Sequence, residues 1–191
     1  MNLVMVVGAA TPPGRLNAAV ESLAASLAAR RSDFSVEIVN LAATPVAICD
    51  GRKLEDYDAA TQDAVARVAG ADAVLLAAPV YRASFPGVLK NLLDLLPVEA
   101  LRDKPVGVVA MGGSPHHYLG VDGHMRLVLA WFGALTLPNS VYLTGRDFAE
   151  GKLASESASA DLLALGEALV TLAEAVKGKS FGPTPLAARF T

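Results

Sequence analysis

The feature that most restricts how this chain can fold is an alternation of two hydrophobic patterns. Leu3-Val4-Met5-Val6-Val7, Ala73-Val74-Leu75-Leu76-Ala77 and the run from Val106 to Ala110 are short, unbroken and apolar. Unbroken runs of this length fit strands that are covered on both faces. Phe34, Val36 and Ile38 alternate with Ser35 and Glu37, which reads as a further strand, and Leu135 to Leu143 is a fifth. Between them lie segments with helical spacing: Leu16 to Arg31, Asp58 to Ala69, Pro86 to Leu96, a long helix ending near Ala134, and a last one marked by Leu162, Leu165, Leu169, Leu172 and Val176. Strands that alternate with helices need crossover connections, hence a parallel sheet with helices on both faces. Five strands predict a doubly wound α/β sheet in the order 2-1-3-4-5 rather than a six-strand dinucleotide fold.

Composition narrows the function. The chain has 191 residues, of which 53% are hydrophobic and 18% charged, so it can bury a full core without disulfide or metal. No internal repeat or Gly/Pro/Ser-rich linker divides it, and a single domain over residues 1–180 with a tail at 181–191 is expected. A net charge of −3 argues against nucleic acid as a main partner, since phosphate backbones require a basic surface. The single cysteine, Cys49, fits a reducing cytoplasmic setting. No membrane span is expected, because no apolar run approaches the length that a bilayer requires.

In open parallel sheets ligands bind outside the C-terminal strand ends. Three segments fall there. Gly8 to Asn17 joins strand one to helix one; its small residues permit a tight turn, the helix N-terminus offers N–H groups to an anion, Arg15 adds positive charge, and Thr11 and Asn17 add side-chain donors. It is neither a P-loop nor G-x-G-x-x-G, and an ordinary βα turn would look similar. Pro79 to Asp94 follows strand three, where Pro79, Pro86 and Gly87 stiffen the backbone against the edge of a flat ring. Tyr81 is either an apolar flank to that ring or, with Phe85, a core residue; Lys90 and Asp94 form an i,i+4 pair on a solvated face or a subunit contact. Met111 to His117 follows strand four, and Gly112 and Gly113 let backbone N–H groups come close to a ligand. His116, His117 and His124 cluster there, but without metal-ligand spacing, and Ser114 lacks a nucleophile elbow.

Residues 78–97, A-P-V-Y-R-A-S-F-P-G-V-L-K-N-L-L-D-L-L-P, resemble the signature of the NADPH-dependent FMN reductase family, most closely the flavin reductases of two-component alkanesulfonate monooxygenase systems. G-G-S-P-H-H-Y-L-G-V-D at 112–122 is similar to the second family motif. The resemblance implies a flavodoxin-like fold and an enzyme that reduces FMN with NADPH or NADH. It implies that Pro79, Val80, Tyr81, Arg82 and Ser84, with Gly112, Gly113, Ser114 and His117, flank the flavin ring. It implies that the 8–17 loop, with Thr11, Arg15, Leu16 and Asn17, takes the phosphate. It further implies a homodimer or homotetramer built on the helices after strands three and four, and a flavin-dependent monooxygenase as consumer of the product. The sulfonate reductases carry a π-bulge in the helix after the Gly-Gly motif, which would bring His124 to the flavin.

The phosphate loop departs from the family pattern G-S-x-R. Ala9 and Thr11 stand at its serine and arginine positions, and Gly14 and Leu16 stand where hydroxyls are common. Fewer hydrogen bonds to the phosphate imply weaker FMN retention or another flavin preference. Two other readings remain at this stage: a quinone or azo reductase with FMN held as a prosthetic group, and a non-catalytic flavodoxin-like electron carrier.

Overall fold

The computed structural model describes residues 1–184. Strands β1 (Asn2–Val7), β2 (Ser35–Asn40), β3 (Ala73–Pro79) and β4 (Pro105–Gly112) run parallel, and β5 (Leu135–Thr136) and β6 (Val141–Thr144) both add beside β4. The order β2-β1-β3-β4-β5 is the 2-1-3-4-5 order that the sequence predicts. One correction concerns the fifth strand, which is two pieces: β5 pairs with Pro105 and Val106, and β6 pairs with Val109 to Gly112. Pro138 lies in the gap, and a residue without an N–H cannot continue a ladder.

The gap is anchored by helix α4 (Tyr118–Phe132). Arg126 Nη2 donates to the carbonyls of Leu137 and Pro138, at 2.9 Å each. The same guanidinium grips the buried Asp122 carboxylate at 2.8 and 3.0 Å.

The unbroken apolar runs are buried on both sides, as their pattern requires. Val4, Val6, Val74, Leu76, Val106 and Val108 face one layer, packed with α2 (Ala59–Gly70), α3 (Gly87–Leu95) and α4. Leu3, Met5, Val7, Leu75 and Val109 face the other, packed with α1 (Arg15–Arg30) and α5 (Glu156–Val176). Asp58 caps α2 by accepting from the Thr61 N–H at 2.8 Å. Helix α5 starts well before Leu162, capped by Ser155, and its start is hidden in the sequence because Ser157, Ser159 and Asp161 on its first turns are exposed and carry no apolar period. A small hairpin of β7 (Phe148–Ala149) and β8 (Lys152–Leu153) occupies part of the segment that reads as a polar loop.

Among the described residues no helix is long and apolar enough to cross a membrane. Of the expected tail, residues 185–191 lie outside the described residues.

Candidate active site at the C-terminal strand edge

Because β1, β3 and β4 are parallel, the three turns that follow them leave the same edge of the sheet. Thr11 to Asn17 line a cavity of about 270 Å³ together with Val7, Ala9, Asn40, Pro79 and Met111. The first turn is therefore joined in one cleft to the ends of the neighbouring strands.

The loop that lacks hydroxyls is rich in free backbone donors. Among the described residues, no acceptor takes the N–H groups of Ala9, Ala10, Thr11, Gly14, Arg15, Leu16 or Asn17. The last three begin α1, where unpaired N–H groups and the helix dipole favour an anion. Leu16 sends its side chain into the core and leaves only its N–H at the loop. Asn17 is buried and accepts a 2.7 Å hydrogen bond from Asn40 Nδ2. Thr11 and Arg15 are exposed. The Arg15 Nη1 lies 2.8 Å from where a Cβ on Gly145 would stand, so the guanidinium reaches the loop after β6.

The second turn is a narrow hairpin. The Tyr81 N–H donates to the Ser84 carbonyl at 2.7 Å and the Ser84 N–H to the Tyr81 carbonyl at 3.0 Å. Its two central residues, Arg82 and Ala83, have φ of 51° and 61°, the left-handed region that such turns demand and that L side chains resist. Their N–H groups have no protein acceptor among the described residues. Helix α4 supports the turn from behind: a Cβ on Gly120 would stand 2.9 Å from the Ala83 carbonyl oxygen, so only glycine admits this approach. Tyr81 is 47% exposed and so is no core residue, whereas Phe85 is half-buried. The Val80 N–H donates to the Met111 carbonyl at 2.8 Å and ties this turn to the next. Lys90 and Asp94 pair on the exposed side of α3.

The third turn shows why Gly112 is glycine. Tyr142, from β6, places its hydroxyl in the space that a Cβ at 112 would occupy, and donates to the Ser114 carbonyl at 2.7 Å. Burial pushes the Tyr142 phenol above its ordinary pKa. The N–H groups of Gly113 and Ser114 have no acceptor among the described residues. His116 and His117 lie exposed on the short 3₁₀ turn that follows.

Helix α4 is α-helical from Tyr118 to Phe132, in contrast to the π-bulge that the resemblance implies. Its buried residues Val121, Asp122, Met125, Leu129 and Phe132 keep one regular face, which an inserted residue would rotate. His124 is exposed on this helix and does not line the cavity. Among the described residues no group of His, Cys, Asp and Glu could hold a metal ion. Sequence reasoning missed Asn40 and Tyr142, and placed Met111 in the third segment without giving it a contact. Asn40 was findable as a residue at a C-terminal strand end; Tyr142 has no local signal, since its role comes from the register of β6.

The model of the NADPH-dependent FMN reductase family matches residues 1–149. The chain belongs to this family. As an FMN reductase family member it is 49% identical over 86 residues to the NADH-dependent FMN reductase SfnF of Pseudomonas fluorescens strain Pf0-1, a match covering 45% of this chain and 46% of that protein. It is 34% identical over 148 residues to the SfnF protein of Pseudomonas putida, covering 78% and 80%. Among solved structures, the apo form of an NADH:FMN oxidoreductase superposes with a TM-score of 0.74 at 25% identity, over 93% of this chain and 91% of that one. A flavodoxin from the domain Archaea superposes with a TM-score of 0.63 at 9% identity, over 91% and 99%, which establishes the flavodoxin-like fold.

Proposed function

We propose that this family member is an NAD(P)H:flavin oxidoreductase that reduces FMN and releases it to a flavin-dependent monooxygenase. The observation that carries the reading is the set of free backbone donors on three adjacent turns, at Ala9–Thr11 and Gly14–Asn17, at Arg82–Ala83, and at Gly113–Ser114. The first group, with Arg15, suits a phosphate; the others suit the polar edge of a flat ring. The residues present therefore fit FMN, held by Thr11, Arg15, Leu16 and Asn17 at its phosphate and by residues 79–84 and 112–117 at its ring.

When bound, the flavin supplies the redox chemistry, accepting hydride from NADH or NADPH. The chain's share is binding and electrostatics. The Gly113 and Ser114 N–H groups offer fixed dipoles to negative charge at the ring edge, which costs no reorganisation during reaction. Tyr81 shields one flank from water. Arg82, exposed on its turn, is a contact for the phosphate of the nicotinamide cofactor. His117 stands beside the third turn, and His124 is proposed to act from outside the cavity.

We also propose a homodimer through α3 and α4. A groove of about 450 Å³ there is lined by Leu93, Leu96, Leu127, Val128, Trp131 and Phe132, with Leu127 73% and Trp131 52% exposed. The Lys90–Asp94 pair at its edge is self-complementary across a twofold axis. One domain over residues 1–180, working in the reducing cytoplasm, completes the reading.

The test is the visible spectrum of the purified protein, followed by NADH and NADPH oxidation with FMN, FAD and riboflavin in turn. Colourless protein that oxidises either dinucleotide only with added FMN supports the proposal. Yellow protein that reduces quinones or azo dyes without added flavin overturns free-flavin release, and no oxidation at all overturns the enzyme reading.

A further inference from the structure

We propose that Tyr142 is a positioning residue for flavin binding: from a strand outside the two ring-flanking turns, its hydroxyl sets where the Gly112–Ser114 backbone stands. The inference rests on the flavin reading above.

Two observations carry it. The Tyr142 hydroxyl donates to the Ser114 carbonyl at 2.7 Å, and it is the one side chain among the described residues that hydrogen-bonds the Gly113–Ser114 backbone. The same hydroxyl fills the space where a Gly112 side chain would begin, with the ring Cζ 2.9 Å from that point. Position 112 is thus glycine because of Tyr142, whatever ligand approaches from outside. The point also lies 3.4 Å from Val80 Cγ2, so the tyrosine end sits under both ring-flanking turns at once.

Tyr142 owes its place to the broken fifth strand. β6 rejoins the sheet with Tyr142 opposite Ala110, two positions before Gly112. The phenol ring is long enough to span that offset, whereas shorter side chains would stop short of Ser114. Tyr142 is half-buried and its hydroxyl is bonded to the Ser114 carbonyl, so its role is to hold the turn.

The experiment compares wild type, Tyr142→Phe, Gly112→Ala and the double variant. FMN dissociation constants are read by quenching of flavin fluorescence, and thermal unfolding is read without flavin. Losing one hydrogen bond should raise the FMN dissociation constant and KM of Tyr142→Phe by roughly fivefold, with most of the kcat/KM loss in KM. The absorption band of bound FMN should shift toward that of free FMN. Gly112→Ala should bind FMN more weakly still and unfold at lower temperature. The double variant should recover part of both losses, because removing the hydroxyl takes away the closest contact with the methyl group and leaves only the ring Cζ, 2.9 Å from it, to shift. FMN binding within twofold of wild type in Tyr142→Phe overturns the proposal, as does a double variant no better than Gly112→Ala. If wild type takes up neither FMN nor FAD, the flavin reading falls and this proposal with it; the unfolding data would still report the contact between positions 112 and 142.

Discussion

Asn40 at the end of β2 and Asn17 in the first turn of α1 join their side chains across one wall of the cleft, Nδ2 of Asn40 donating to Oδ1 of Asn17 at 2.7 Å. The Oδ1 of Asn40 meanwhile accepts from the N–H groups of Ala42 and Ala43 at 2.9 and 3.4 Å. One carboxamide therefore locks the exit of β2 and orients the Asn17 amide. Asn40→Ala should destabilise the fold by about 1–2 kcal/mol and weaken FMN binding about fivefold. Denaturant unfolding and a flavin titration on the same sample check both; unchanged flavin affinity would remove Asn40 from the site.

Arg15 is exposed and makes no ion pair among the described residues, so its loss should leave the fold intact. Arg15→Ala should weaken FMN by roughly 10–100-fold, the worth of a charge-assisted hydrogen bond, while riboflavin, without phosphate, is unaffected. Gly145→Ala should reproduce part of that loss, since a methyl group there displaces the Arg15 Nη1. Equal effects on FMN and riboflavin would show that Arg15 does not meet the phosphate.

At the second turn, stability and function should separate. Ala83 holds a φ of 61°, so Ala83→Gly relieves strain and should be neutral or stabilise by up to about 1 kcal/mol. Yet a looser turn should raise KM for FMN. Gly120→Ala should destabilise by about 1–3 kcal/mol although alanine is the better helix former, because its methyl group meets the Ala83 backbone rather than a movable side chain. Thermal unfolding of both variants decides; stabilisation by Gly120→Ala would refute the contact.

Lys104, at the opposite edge of the sheet, supplies a pH dependence. Its ammonium donates to the Ala69 and Val68 carbonyls at 2.8 and 3.3 Å, at the end of α2. Burial lowers its pKa from 10.5 to about 8, opposed by the nearby Asp72 carboxylate. A lysine whose folded pKa is depressed burdens the folded state while charged. The folded protein then binds fewer protons than the unfolded chain between pH 8 and 10.5, so this group's contribution to stability rises with pH across that window. Measured against Lys104→Met, wild type should gain stability from pH 8 to 10.5; a constant difference would contradict it.

The sheet was legible because short unbroken apolar runs, bounded by turn residues, fit strands buried on both faces. Runs such as Leu3–Val7 and Ala73–Ala77 are too short for a typical buried helix, and as strands they bury both faces under the two helical layers. From that pattern came the parallel sheet and the common edge on which Thr11, Tyr81 and Gly113 lie, and from the count of five strands came their order. The Gly-Pro-rich turns and the family motif then marked which loops to examine. Three things were not legible. The break at Pro138 was hidden by the apolar residues around it, and the start of α5 by exposed serines. The helix with His124 is regular because its buried face, not the motif before it, sets its period.

The sequence by itself determined the layers and the edge where chemistry is possible, because these follow from local hydrophobic period and chain handedness, and its count of five strands pointed to the known doubly wound order. Only the tertiary structure decided which groups complete the site. Asn40 reaches Asn17, Ala83 rests on Gly120, and Tyr142 occupies the space beside Gly112 through contacts between residues far apart in the chain. Such contacts depend on strand register and helix placement to a fraction of a side-chain length, and no local pattern of residues encodes a distance across the fold.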